Sequence, residues 1–571
     1  HDSHNSMHHA APLLELNETD ILQSHDADPI SYWIHDWERS MEEVKENYRG
    51  LMVLHVVGMM VAFFGLLPAG IALRGVRHRW YPAVLVTFNV LAWFSAFTGS
   101  LYKKLTGDLY EGASHGSGGW LIVFFATGLA VCDGLSTLKR VYHFLRSPER
   151  RNIRAFWSKV ILNQDEHLAE YAHLVHDEPQ EYEEAKFSDE PESNSQHRRI
   201  NTSIESVRMR SSDSIHEWSR FAGTSVGHSR QHSVASNQSD ETLHSPGILS
   251  RSDAHDSDEE SENTPFIQKF LRYAYATAER TLVLMAFSAL LSGLSVYSGI
   301  CRGNYLNGCL AHLIKGGIFW CYGLLSFGRY LGAWADFGWA WNRLPARRSR
   351  KVASAEMVES SVIFFYGITN TWMERFGAAP GSPFTTKQVQ HISIAVMFWF
   401  AGLLGMALES KTVRKWLSAR ATSVVKSDEN VTPPPSYSGS FNPFPALVIG
   451  VTGAAMSAHH QTYQFQVQVH ALWGFFLSGF AILRCMTYFF LWLRPPHSVL
   501  PSRPPTEAMA SFFLACGGLV FILSTEQITF AAMRRGMDDI MFIFNFAVAV
   551  TCLAFCWMLL VVGFKGWMNY R

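Results

Sequence analysis

Seven histidines, His55, His115, His312, His391, His459, His460 and His470, lie within or at the ends of long apolar runs. A neutral imidazole is a common protein ligand for heme iron, copper and zinc. Placed repeatedly in apolar sequence, it has a direct chemical reading: metal or heme binding. The competing reading is ordinary interfacial packing, with the rings snorkelling at a membrane boundary. Four further histidines, His1, His4, His8 and His9, open the sequence, and short tracts of this kind scavenge copper or zinc weakly. The choice between these readings depends on the depth at which the helices place each ring.

Composition defines those helices. The 571 residues are 48% hydrophobic and 13% aromatic, too apolar for an ordinary soluble enzyme. The net charge of −1 gives no argument for nucleic acid as a partner. No phosphate loop, dinucleotide fingerprint or metalloprotease motif is present. The periodicity predicts about eleven spans of roughly the length that crosses a lipid bilayer: 51–74, 80–102, 117–138, 277–299, 309–334, 359–374, 389–410, 443–460, 469–493, 508–526 and 540–564. The fold class is therefore all-α, a polytopic membrane protein.

Basic residues set the direction. Arg74, Arg77 and Arg79 follow the first span, Lys139 and Arg140 the third, Arg343 and Arg347 the fifth, and Lys411 and Arg414 the seventh. Every second loop is basic, as cytosolic loops are. The N-terminus then lies in the lumen or outside, the C-terminus in the cytosol, and all seven histidines fall on the lumenal or extracellular side. This fits an integral protein of the secretory membranes or the plasma membrane. Asn17-Glu18-Thr19 is a glycosylation sequon on that side, with Asn17 as acceptor. The start at His1 without Met fits either a processed secretory signal or a sequence that begins late. Cys301 and Cys309 share one short loop there, where a disulfide and two free thiols are both compatible with the chemistry. The other six cysteines lie in helices, as packing residues do.

Chain order predicts four regions: an N-terminal segment at 1–50, a three-helix unit at 51–138, a polar linker at 139–270 and an eight-helix unit at 271–571. The linker buries too little apolar surface to fold alone and reads as a disordered cytosolic tether, although Arg151–Glu170 has helical spacing. Ser211 and Ser233 lie downstream of arginines and Ser257 ahead of acidic residues, the patterns read by cytosolic kinases. An unregulated tether is equally compatible with them.

The first unit carries His55-Val-Val-Gly-Met59, then Pro68-Ala-Gly70, and its third helix opens on His115 with Gly119 four residues on. These residues resemble the cytochrome b561 family, particularly its ferric-reductase-like branch. The resemblance implies a b-type heme shared by His55 and His115. The second helix has no histidine and no fourth core helix precedes the linker, so at most one of that family's two hemes is expected. Gly116, Gly118 and Gly119 would admit a flat macrocycle or a neighbouring helix.

In the second unit His312, Lys315, Tyr322, Ser326, Arg329 and Asp336 follow a stripe at three- and four-residue steps. Charges in lipid are expensive, so the stripe is expected to face protein or water, with Glu409, Arg484 and Glu526 as available partners. Lys315-Gly-Gly, Gly328-Arg329-Tyr330-Leu-Gly332, Trp339-Ala-Trp341-Asn342 and Ala458-His459-His460-Gln461 resemble the fungal Ytp-type integral membrane proteins. That resemblance implies architecture rather than activity. If the loop after His460 folds back, three to five of His312, His391, His459, His460 and His470 would converge on zinc, copper or a heme.

The preferred expectation is a heme- or metal-binding redox protein. One competitor is a proton or metal-ion transporter using Lys315, Arg329, Asp336, Glu409 and Glu526. Another is a membrane scaffold with vestigial ligands.

Overall fold

A computed structural model describes residues 11–25, 30–38, 47–76, 78–146, 266–345, 352–373, 375, 381–424, 434 and 439–570. His1, His4, His8, His9, Arg151–Glu170, Ser211, Ser233 and Ser257 lie outside the described residues. The structure is all-helical. In chain order the helices are α1 (Glu18–Ser24), α2 (Arg49–Gly75), α3 (Tyr81–Thr106), α4 (His115–Leu145), α5 (Phe266–Ser298), α6 (Leu306–Leu331) and α7 (Ala355–Met373). They continue as α8 (Thr386–Glu409), α9 (Lys411–Val424), α10 (Phe444–Ser457), α11 (Gln464–Leu493), α12 (Pro505–Leu523), α13 (Glu526–Arg534) and α14 (Ile540–Tyr570).

Among the described residues, nine helices are long and apolar enough to cross a bilayer: α2, α3, α4, α5, α6, α8, α11, α12 and α14. The segments expected as the sixth and eighth spans are helical, as α7 and α10, but neither is among the helices long and apolar enough to cross. α7 carries Glu356 and Glu359, and α10 has only 14 residues.

Local chemistry sets the helix ends. Prolines occupy the first turns of α3, α10 and α12, where the missing N–H is no loss. Thr385 and Gln388 form a reciprocal capping box at the start of α8. Within α2 a π-helical stretch, Val61–Leu66, precedes Pro68. Proline cannot donate to the preceding turn, and the wider turn accommodates that break. α6 stops at Gly332, whose φ of +107° is left-handed. The polar stripe therefore ends with the helix: Asp336 lies in the short 3-10 turn beyond it, exposed.

Two buried cores organise the bundle. Ala62 and Phe63 of α2, Phe88 and Ala92 of α3, Ile122 and Ala126 of α4, and Leu282 and Ala286 of α5 form one. By chain order α5 is grouped with the C-terminal set, yet its middle packs into the N-terminal core. The larger core joins Phe319 of α6, Ile363 of α7, Phe398 of α8, Ile449 of α10, Trp473 and Phe480 of α11, Leu514 of α12 and Ala547 of α14. Small residues permit close helix packing there, because helices in lipid associate through contact rather than through a hydrophobic drive. A Cβ on Gly316 of α6 would lie 2.7 Å from the Gly518 carbonyl of α12.

Loop contacts define two ends. At one, Tyr110 donates to the carbonyls of Ile300 and Cys301 (both 2.9 Å), and Cys301 N donates to Gln527 (2.6 Å). Leu13 pairs with Thr462 and Gln464 at the same end, and Arg534 with Glu18. At the other end Arg74 meets Asp133 (3.6 Å) and Glu279 (3.1 Å), and Asn342 donates to Val499 O (2.6 Å).

Candidate functional site

The first end holds the histidines. α2 carries His55 near its start, and α4 begins at His115. Their ring centres are 6.2 Å apart with planes at 85°. His55 Nδ1 lies 2.7 Å from the Ser95 carbonyl of α3. A carbonyl only accepts, so Nδ1 carries the proton and Nε2 the lone pair. His115 Nδ1 lies 2.9 Å from Ser292 Oγ of α5, and that hydroxyl donates to Ala289 O (3.0 Å). With its proton committed, the hydroxyl accepts from Nδ1, and His115 Nε2 also carries the lone pair.

Glycines back both rings. A Cβ at Gly99 of α3 would lie 2.5 Å from His55 Nδ1, and one at Gly293 of α5 would lie 3.0 Å from His115 Cε1. Cβ atoms at Gly116, Gly118 and Gly119 would meet nothing within 4 Å among the described residues. His115 rims a cleft of about 1240 Å³ lined largely by apolar residues of α5 and α6, among them Leu284, Phe287 and Leu291. Beyond the pair, Asp36 is fully buried and accepts hydrogen bonds from Tyr102 (2.8 Å) and Tyr297 (3.0 Å), tying the ends of α3 and α5 together.

The C-terminal histidines do not converge. Among the described residues, no group of three or more His, Cys, Asp or Glu is placed to hold a metal ion. The expected cluster divides because its members lie on different helix neighbours. His312 of α6 faces His470 of α11, with ring centres at 6.2 Å and planes at 82°. His391 of α8 faces His459 after α10, at 5.8 Å and 42°. His460, one residue on, is exposed and belongs to neither pair.

The charged residues are also redistributed. Arg329 pairs with Glu356 (3.0 Å) and Glu359 (2.6 Å) of α7, and Arg484 with Glu359 (3.4 Å) and Glu507 (2.7 Å) of α12. Arg484 also donates to Ser326 (3.1 Å), and the Trp341 ring lies 4.3 Å from the Arg329 guanidinium carbon. Lys315 is half-buried on the cleft. Glu409 accepts from Ser354 (2.7 Å) and Ser440 (2.5 Å) and meets Arg414 (3.5 Å), whereas Glu526 lies at the histidine end, 4.0 Å from His25. Glu409 and Glu526 thus sit at opposite ends, rather than along one path with Arg329.

Sequence reasoning missed Glu356, Glu359 and Glu507 as partners, along with Asp36, Ser95 and Ser292. Two carboxylates three residues apart at the head of an apolar run, and a third just after Pro504-Pro505, were the available signals. Cys301 and Cys309 form a disulfide with Cα atoms 5.3 Å apart. Asn17 is exposed and caps α1, its side chain accepting from Asp20 N.

Long apolar helices with the charges gathered inside define a polytopic integral membrane protein. Residues 285–566 match the family described as Protein YTP1-like, C-terminal, and residues 36–138 match a domain of unknown function, DUF2427. An uncharacterized membrane protein of Schizosaccharomyces pombe is 38% identical over 53% of this chain and 61% of its own length. An uncharacterized membrane protein of Saccharomyces cerevisiae is 38% identical over 50% of this chain and 47% of its own. Protein YTP1 of the same yeast is 26% identical over 47% of this chain and 49% of its own. The chain thus spans about half the length of the curated relatives it matches. No solved structure matches it. The chain is similar to the fungal Ytp-type membrane proteins.

Proposed function

We propose that this is a b-type heme protein of the membrane, with one heme held between His55 and His115 and electron transfer as its role. The geometry of that pair carries the proposal. Two metal–nitrogen bonds of about 2 Å each, plus about 1 Å from each ring centre to its nitrogen, span about 6 Å. The ring centres are 6.2 Å apart. Both Nδ1 atoms are held by second partners, which orient the rings and leave the Nε2 lone pairs as donors.

Two nitrogen donors suit heme, whose remaining equatorial ligands come from the macrocycle, whereas a structural zinc site takes four protein ligands. The resemblance of these motifs to cytochrome b561 supports the same assignment. α5, which follows the linker, supplies a fourth helix and the Ser292 hydroxyl beside His115. Heme bound here would supply one-electron chemistry. The chain's own work is to fix the ring tautomers, exclude water with the α2–α5 core and hold the helix ends through Asp36. The disulfide at this end and the basic loops at the other support a lumenal or extracellular histidine side. Ion passage draws less support, because Glu409 and Glu526 lie at opposite ends and Arg329 is occupied by Glu356 and Glu359.

The test is an absorption spectrum of the purified protein, oxidised and then reduced with dithionite. A Soret band that shifts on reduction, with an α band that His55→Ala diminishes, is the expected result. A protein with no such bands after expression with heme supplied overturns the proposal.

A further inference from the structure

We infer that α9 is an interfacial helix that binds the anionic phospholipid headgroups of the leaflet opposite the histidine end. This goes beyond the heme reading and does not depend on it. The 14 residues of α9, Lys411–Val424, include Lys411, Arg414, Lys415 and Arg420 and no acidic residue. At about 3.6 residues per turn, Val413, Trp416, Leu417 and Val424 share one face, and Lys411 and Lys415 lie on the other. Arg420 falls within the apolar face, with a stem long enough to carry its charge back to headgroup level. Trp416 is 69% exposed, Leu417 70% and Val424 77%. The described residues therefore leave the apolar face largely uncovered.

The attachment of α9 fixes where that face lies. α8 is long and apolar enough to cross a bilayer, so its last residue, Glu409, marks a boundary. Ser410, at φ −67° and ψ 119°, breaks the helix there, and α9 begins just past it. Arg414 donates from Nε to Leu408 O (2.6 Å) and meets Glu409 (3.5 Å), while Ser410 Oγ accepts from Val413 N (3.5 Å). The Glu409 carboxylate is buried and is itself held by Ser354 and Ser440. Arg414 thus serves the turn, and the exposed Lys415 and Arg420 are the cations offered outward. A basic amphipathic helix tied to a bilayer boundary has a complementary surface beside it. Headgroup phosphates meet its cations, and the edge of the acyl layer takes Trp416 and Leu417. The basic loops assign this end to the cytosol, where anionic lipid is concentrated.

The experiment is hydrogen–deuterium exchange, read by mass spectrometry, on the full-length protein held as single chains in nanodiscs. The discs contain phosphatidylcholine alone or phosphatidylcholine mixed with phosphatidylserine. Each basic residue near an anionic surface strengthens binding about fivefold, so α9 peptides are expected to exchange about tenfold more slowly with phosphatidylserine present. Added salt should shrink that difference. The double variant Lys415→Gln, Arg420→Gln is expected to lose it, with the α8 peptides unchanged and reporting an intact fold. Equal exchange of α9 in the two lipids, fast or slow, overturns the inference. So does a difference that the double variant keeps. Protection that appears only in discs holding two chains, whatever the lipid, makes a second copy the partner and overturns it as well.

Discussion

At the histidine end, His55 and His115 are each anchored through Nδ1 on a carbonyl or hydroxyl, with ring centres 6.2 Å apart. Toward the other end, two guanidiniums and three carboxylates turn on one another, with Arg329 and Arg484 shared among Glu356, Glu359 and Glu507. Both regions place polarity in apolar helices, and they do so for different ends. The charged cluster ties α6, α7, α11 and α12 together by opposite charge, and removing a member leaves its partner stranded. The imidazole pair is held by hydrogen bonds to a carbonyl and a hydroxyl rather than by opposite charge. On the proposed reading, polarity that closes on itself is architecture, while the imidazole pair set across a gap is the site.

The largest effect should come from breaking the closed region. Arg484→Ala strands the buried Glu507 carboxylate, while Glu359 keeps Arg329, and should cost roughly 3–5 kcal/mol, read from thermal unfolding in detergent. Glu507→Gln should cost much less. Its Oε2 has no hydrogen-bond partner among the described residues, and the cluster holds one more carboxylate than guanidinium. Equal losses in the two variants would contradict the view of the cluster as a charge staple.

Next comes the gap region. Gly99→Ala drives a methyl into His55, and overpacking of this kind costs about 1–3 kcal/mol. It should abolish the heme bands assigned to the first pair while the protein still elutes as a folded species. Bands unchanged in Gly99→Ala would show that the position of His55 does not matter. Ser292→Ala is milder, removing the hydroxyl that accepts from His115 at a cost of about 1 kcal/mol. Heme should remain bound with a shifted reduction potential, since second partners tune ligand basicity. An unshifted potential would sever Ser292 from the site.

The smallest effect lies in the cap over the histidine end. Arg534 hydrogen-bonds Glu18 and holds its carboxyl below the usual carboxylate range. A depressed folded-state value contributes stability that is present above the unfolded value and lost as pH falls through the folded one. Both side chains are substantially exposed, so the contribution stays under about 1 kcal/mol. Melting temperature should fall slightly more steeply toward acid pH in wild type than in Glu18→Gln, and identical slopes would remove the pair from the account.

Much of this fold was legible because a spanning helix announces itself by length and apolarity. The ends were less so. Spans set to begin at 359 and 508 excluded Glu356 and Glu507, since polar residues in a first turn lower local hydropathy while their helices continue through them. The stripe carried to Asp336 ran past Gly332, whose left-handed backbone ends α6. The histidines were visible as types at one depth. Their pairing was not, because it depends on which helix ends meet in space: His55 of α2 with His115 of α4, and His312 of α6 with His470 of α11. Neither could chain order show that α5, beyond the linker, packs with the helices before it and places Ser292 at His115.

The central claim, that His55 and His115 bracket one iron, meets its most direct test in the low-temperature EPR spectrum of the oxidised protein. Rings whose planes stand at 85° would, if they held one iron, leave two of its d orbitals nearly equal in energy and give a strongly anisotropic low-spin ferric signal. The account predicts such a signal, with a component lost in His55→Ala. A spectrum without low-spin ferric heme, or one unchanged by His55→Ala, would contradict it.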